Sequence, residues 1–168
     1  MQKRIAFLIF LFTVCSSELK AQNLTLTING TTEVETKTID SLDYKKTHSD
    51  YASITQEVNI LQKRLFRLGY IESKLTSKDK VNDSAIVFNF QLNIKYDTLH
   101  IYYNPKVISK KIINLITSKT FDDHFSIAFT EAERVLNFIN TQITNEGYPF
   151  SKIKLSEIKT ERQQNLNR

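Results

Sequence analysis

The chain has 168 residues and a formal charge of +5, with 40% hydrophobic and 24% charged residues, 3 Gly, 2 Pro and no Trp. That is the make-up of one ordinary globular domain or two small ones, and it excludes collagen, low-complexity linker and wholesale disorder. The single Cys excludes a disulfide framework and any multi-thiolate metal site, and His48, His100 and His124 are too scattered to suggest a metal site or a catalytic triad.

Residues 1–22 carry the three parts of a secretory signal. Lys3 and Arg4 form the positive start, and Ile5 to Val14 form an uncharged stretch too short to span a bilayer as a helix. A polar stretch then ends at Ala21, a small residue suited to the position before cleavage. Cys15 is a weaker candidate for lipid attachment, since bulky Val14 precedes it. Cleavage after Ala21 leaves no cysteine. It removes Lys3, Arg4, Lys20 and Glu18, so 20 bases face 17 acids and the charge falls to +3. An excess that small reads as a solvated surface, and no nucleic-acid partner is expected. Asn23, Asn29 and Asn82 begin glycosylation sequons, which matter only in a eukaryotic secretory route.

Leu24, Leu26 and Ile28 alternate with polar residues and lead to Asn29-Gly30, a strand followed by a turn. The polar stretch from Thr31 to Asp50 is expected to hold a short helix over Ile39 to Lys46. Next, Ser53 with Gln56 forms a capping box ahead of Ile54, Val58, Leu61, Leu65 and Leu68, which share one helical face. Gly69 stops this helix. Tyr70 and Ile71 lead into a strand through Leu75 and Thr76, Lys78 to Ser84 reads as a charged turn, and Ala85 to Ile94 alternates as a richly apolar strand.

The pattern then restarts. Leu99 to Tyr103 alternates and ends at Asn104-Pro105, and Val107 to Thr117 reads as a short helix. Phe121 to Phe129 reads as a connector. Thr130 with Glu133 is expected to cap a long helix bearing Val135, Leu136, Ile139 and Ile143, which stops at Gly147-Tyr148. Ser151 to Ile158 reads as a strand with Ile153 and Leu155 on one face. A displacement of 78 residues lays Val58 on Leu136, Leu61 on Ile139, Leu65 on Ile143 and Gly69-Tyr70 on Gly147-Tyr148. Two tandem units of roughly 75 residues follow, 23–95 and 96–168. The residues after Ile158 are too polar to match the Ile86–Ile94 strand, so the second unit is expected to lack its last strand: either the chain is a fragment of something longer, or its last sheet is finished by another molecule.

A β-α-α-β-β unit of this size, with a long second helix ending in Gly-Tyr before a strand and repeated behind a signal peptide, resembles the POTRA (polypeptide-transport-associated) domains. These precede the membrane barrel in outer-membrane assembly proteins of the BamA/TamA type (surface-antigen family). The resemblance rests on Leu65-Phe-Arg-Leu-Gly69-Tyr70-Ile-Glu-Ser-Lys and Ile143-Thr-Asn-Glu-Gly147-Tyr148-Pro-Phe-Ser-Lys. It implies an α+β fold in which each unit has a three-stranded mixed sheet with two helices on one face. It also implies export to the periplasmic face of the outer membrane of a Gram-negative bacterium. The partners it implies are unfolded outer-membrane or secreted polypeptides, assembly-complex subunits or a barrel domain. No train of alternating strands follows residue 158, so no barrel is read in this sequence.

Neither enzyme nor cofactor is expected, because no nucleophile–base pair can be identified. Gly69, Tyr70, Gly147 and Tyr148 read as structural turns, with each ring laid back on its core and its hydroxyl in water. A valine at Gly147 is expected to destabilise the second unit. Work in such a unit falls to the sheet edges, whose unpaired backbone groups can accept an added strand. The candidate docking edges are Ile71, Glu72, Ser73, Lys74 and Leu75, and Phe150, Ser151, Lys152, Ile153 and Lys154. Their lysines serve equally to keep an edge from aggregating. Asp122-Asp123-His124 reads as a polar loop, His48 and His100 as structural, and Glu131, Glu133 and Arg134 as complements to a helix dipole. Tyr102-Tyr103 reads as core packing with one ring inward. The competing reading is a free-standing secreted α+β protein that binds a small ligand or inhibits an enzyme.

Overall fold

The computed structural model describes residues 23–161; the leader read over residues 1–22, with Cys15, lies outside the described residues. The protein is α+β, with a mixed sheet and several helices. Its contacts divide it into two units. Among the described residues, the first takes 23–65 together with Glu72–Asn93, and the second takes Phe66–Ile71 together with 94–161.

The first unit runs β1 (Leu24–Gly30), α1 (Glu33–Asp40), β2 (Thr47–His48), α2 (Tyr51–Arg67), β3 (Lys74–Asn82) and β4 (Ala85–Gln91). Alternation builds the centre of its sheet: Leu26 and Ile28 on β1, and Ile86, Phe88 and Phe90 on β4, are buried, while Thr25 and Thr27 are exposed. β1 and β4 pair in parallel, β2 lies antiparallel to β1 and β3 antiparallel to β4, giving the order β2-β1-β4-β3. The sheet therefore has four strands rather than the expected three. β2 is only two residues long, too short to leave a pattern in the sequence.

The first helix is not at Ile39 to Lys46 but at Glu33–Asp40, fixed by a reciprocal cap. Thr32 Oγ1 accepts from Glu35 N, and Glu35 Oε2 accepts from Thr32 N, both at 3.2 Å. Ile39 is its buried residue, so no apolar period marks it in the sequence. α2 buries Ile54, Val58, Leu61 and Leu65, the stripe that the spacing predicts. Its cap is Asp50 rather than Ser53: Asp50 Oδ1 accepts from Ser53 N at 2.7 Å, and the helix begins at Tyr51. The charged run from Lys78 is strand as far as Asn82, held by its pairing with β4; both faces of β3 are exposed and nothing there alternates in polarity, so no period marks it in the sequence. The turn is confined to Asp83 and Ser84.

The second unit holds β5 (Thr98–Tyr102), α3 (Lys110–Asn114), β6 (His124–Ala128), a 3-10 turn (Phe129–Glu131) and α4 (Ala132–Asn145). Ile101, Phe125, Val135, Ile139 and Ile143 are central to its core. β6 pairs antiparallel with β5, so the segment read as a connector contains a strand. The helix read over Val107 to Thr117 is shorter at both ends. Thr130 sits in the 3-10 turn, and α4 begins at Ala132 without a side-chain cap. Ser151 to Ile158 forms no strand, although Ile153 and Leu155 pack against the core.

Both helix stops behave as read. Gly69 and Gly147 have φ of +100° and +101°, the left-handed region that glycine enters without strain. The rings that follow differ from each other: Tyr70 is half-buried, whereas Tyr148, 65% exposed, does not lie back on its core as expected. A displacement of 78 residues carries α2, Tyr51–Arg67, onto the span of the 3-10 turn plus α4, Phe129–Asn145.

Candidate functional site

The two margins of the first sheet differ. On the β2 side, three N–H groups of β1 are taken: Leu26 N donates to Lys46 O at 2.7 Å, Ile28 N to the Tyr44 hydroxyl at 2.9 Å and Gly30 N to Thr36 Oγ1 at 2.9 Å. Tyr44 is 5% exposed and closes that margin in a way the sequence analysis missed. At the other margin, β3 pairs with β4 alone among the described strands, and all nine of its residues are exposed.

β3 carries features that discourage indiscriminate pairing. Its register shifts between Leu75 and Ser77 and again between Lys80 and Asn82, which twists an edge. Lys78 Nζ lies 4.3 Å from the centre of the Tyr51 ring, and its hydrogen bond holds the Tyr51 hydroxyl below the usual phenol range. Lys80 Nζ pairs with Asp83 Oδ1 at 2.7 Å and holds that carboxyl below the usual carboxylate range. Asn89 Nδ2 donates to Ser77 Oγ at 2.8 Å and to Asp79 Oδ2 at 3.1 Å, tying β3 to its neighbour.

Of the first set of sequence-read docking residues, Lys74 and Leu75 lie on β3, while Ile71, Glu72 and Ser73 are half-buried in the approach to it. The edge continues instead through Thr76 to Asn82. Of the second set, Phe150 is 94% exposed, and Ser151, Lys152, Ile153 and Lys154 lie in no strand.

The second sheet has its own open side. Tyr103 N donates to Asp123 O at 3.2 Å and Phe129 N to Asp97 O at 2.8 Å, so with Ile101 opposite Phe125 the bonded pairs fall at 97, 99, 101 and 103. The backbone groups of Thr98, His100 and Tyr102 therefore point away from β6. Beyond β6 itself, Ser126 N donates to Lys119 O at 3.1 Å and Phe121 N to His124 O at 2.8 Å, so that margin is covered.

Rings gather on the solvent side of this pair. His124 stacks on Phe121 with centroids 4.3 Å apart, and Tyr102 lies 4.9 Å away on a tilt. Asp123 Oδ1 is 2.8 Å from His124 Nδ1, a contact that lowers the pKa of the Asp123 carboxyl. Beside them is an open cavity of about 550 Å³ lined by Tyr103, Lys110, Asn114, Phe121, Asp122 and His124 among others. His100 Nδ1 contacts Ser126 Oγ at 2.8 Å, and His48 is buried with Nε2 2.7 Å from Lys45 O. Among the described residues, no three His, Cys, Asp or Glu side chains are grouped as a metal site, and no helix is long and apolar enough to cross a membrane. No protein-family model, curated protein or solved structure matches this chain.

Proposed function

We propose that the protein is an exported interaction module of the POTRA kind, working at the periplasmic face of an outer membrane. It would dock extended segments of unfolded outer-membrane or secreted polypeptides, or of assembly partners, by adding them as strands to its sheet edges. The observation that carries this reading is β3, nine residues long, exposed throughout and unpaired on one side among the described strands. An extended polypeptide gains backbone hydrogen bonds there with little demand on its sequence. The order β1-β4-β3, with a parallel pair followed by an antiparallel hairpin, supports the β-α-α-β-β comparison, as does the glycine stop after each long helix.

Photo-reactive side chains at Lys74 and Asp79 on β3 should trap a urea-unfolded barrel protein, and one at Thr27 on central β1 should not. Capture at neither β3 position, or equal capture at Thr27, overturns the reading. The competing small-ligand reading draws on the cavity beside His124, whose volume lies within the range of small-molecule sites. A ligand that protects His124 and Tyr103 but leaves β3 untouched would favour it.

A further inference from the structure

β1 in the first unit and β5 in the second present their edges in the same way. On β1 the core-facing residues Leu26 and Ile28 send their N–H groups to the β2 side, while Thr25, facing solvent, donates to Ser84 O at 2.7 Å on the β4 side. On β5 the core-facing Leu99 and Ile101 bond to β6, while solvent-facing Thr98, His100 and Tyr102 aim theirs at the opposite side. β6 thus stands where β2 stands, antiparallel and just ahead of the long helix. Where the first unit places β4, no described strand pairs with β5.

The neighbouring segment points the same way. Displaced by 78 residues, β3 falls on residues 152–160, within the stretch whose Ile153 and Leu155 alternate as in a strand yet form none. In the first unit β3 has β4 as its partner. In the second, no described strand pairs with the strand-patterned segment, nor with β5 on its other flank. One strand would satisfy both. β4 itself buries Ile86, Phe88 and Phe90.

We propose that the second unit binds an extended polypeptide segment as an added strand, entering parallel to β5 between Thr98–Tyr102 and Ser151–Ile158. That strand would carry a large apolar side chain at every second residue, as β4 does. This rests on the strand-addition reading above and names its edge, its direction and the pattern it accepts. Parallel entry pairs the incoming backbone with Thr98, His100 and Tyr102. Antiparallel pairing on its far side then orders 151–158.

The test uses the full chain and a synthetic peptide of residues 85–94, with a shuffled peptide that destroys the alternation and a copy N-methylated at alternate amides. The alternating peptide should bind and should slow amide exchange at Thr98, His100 and Tyr102 and across 151–158. The shuffled and methylated copies should bind at least about tenfold more weakly, the equivalent of one or more lost backbone hydrogen bonds. His100→Pro should weaken binding similarly; the methylated peptide asks the same question without altering the protein. Protection confined to residues 74–82 overturns this proposal while leaving strand addition at β3 standing. Absence of binding overturns it as well, as does slow exchange at Thr98, His100 and Tyr102 in dilute protein before any peptide is added. The cross-linking at β3 then decides the wider reading separately.

Discussion

Glu35 and Leu92, 57 residues apart, are joined by a carboxylate: Glu35 Oε1 accepts from Leu92 N at 3.0 Å. The other oxygen accepts from Thr31 N at 2.8 Å and Thr32 N at 3.2 Å. One side chain thus caps α1 and fastens the chain just beyond β4, so that the helix start and the end of the central strand are held together. Charge-assisted bonds of this kind are shorter and stronger than neutral ones.

Glu35→Ala should therefore destabilise the first unit by about 1–3 kcal/mol, the range for leaving a buried donor, here Leu92 N, unpaired. Glu35→Gln, which keeps one acceptor oxygen, should lose less. Denaturant unfolding checks the magnitude, and faster amide exchange at Leu92 in the alanine variant checks the cause. An unchanged Leu92 amide would show that another group satisfies it.

The two helix-stop glycines should respond differently to alanine. A Cβ at Gly69 would lie 2.1 Å from Tyr96 O, a backbone atom, whereas a Cβ at Gly147 meets nothing within 4 Å. Gly147→Ala should cost about 1 kcal/mol, from positive φ alone. Gly147→Val should cost about 1–3 kcal/mol, because a β-branched residue resists that conformation more. Gly69→Ala should exceed either, since backbone must move as well. Thermal melts of the three variants rank them; equal losses at Gly69→Ala and Gly147→Ala would contradict the close approach.

Asp50 gives α2 a pH-dependent start. The backbone N–H of Ser53, then the Ser49 hydroxyl, hold its carboxyl below the usual carboxylate range. A carboxyl with its folded pKa depressed contributes stability that is present above its unfolded pKa and lost as pH falls through the folded value. Acidification below the ordinary carboxylate range should therefore loosen the first turn of α2. Asp50→Asn, which caps without ionising, should remove that part of the pH dependence while keeping the helix start at neutral pH. Chemical shifts of Ser53 N–H across an acid titration read both effects; identical titrations in the two proteins would contradict the assignment.

Elements with a one-sided apolar pattern were legible in the sequence. The α2 stripe at Ile54, Val58, Leu61 and Leu65 and the β4 alternation at Ile86, Phe88 and Phe90 are each buried as read. Elements without such a face were not. α1 is Glu-Thr-Lys sequence anchored by Ile39, and β3 is exposed on both faces, so neither carries the period that marks a helix or strand. The caps were mislocated because Ser53 and Thr130 satisfy the capping pattern, while Asp50 lies three residues ahead of Ser53 and Glu131 at the start of α4 makes no side-chain cap. Ser151 to Ile158 shows the opposite case, a strand pattern with no pairing strand among the described residues. Of the proposed docking edge, the sequence pointed to the region after Gly69 but placed the exposed strand a few residues early. The part of β3 beyond Thr76, and the open flank of β5, depend on which strands lie side by side, and that is set by the whole sheet.

The claim that exposed backbone, not a reactive side chain, is the working surface is tested most directly by amide exchange in the presence of a purified, urea-unfolded barrel polypeptide. Residues 74–82 should exchange more slowly when it is added, while the exposed Thr25 and Thr27 of β1 should not change. Binding that slows exchange only around His124 and Tyr103, with β3 unaltered, would contradict the account.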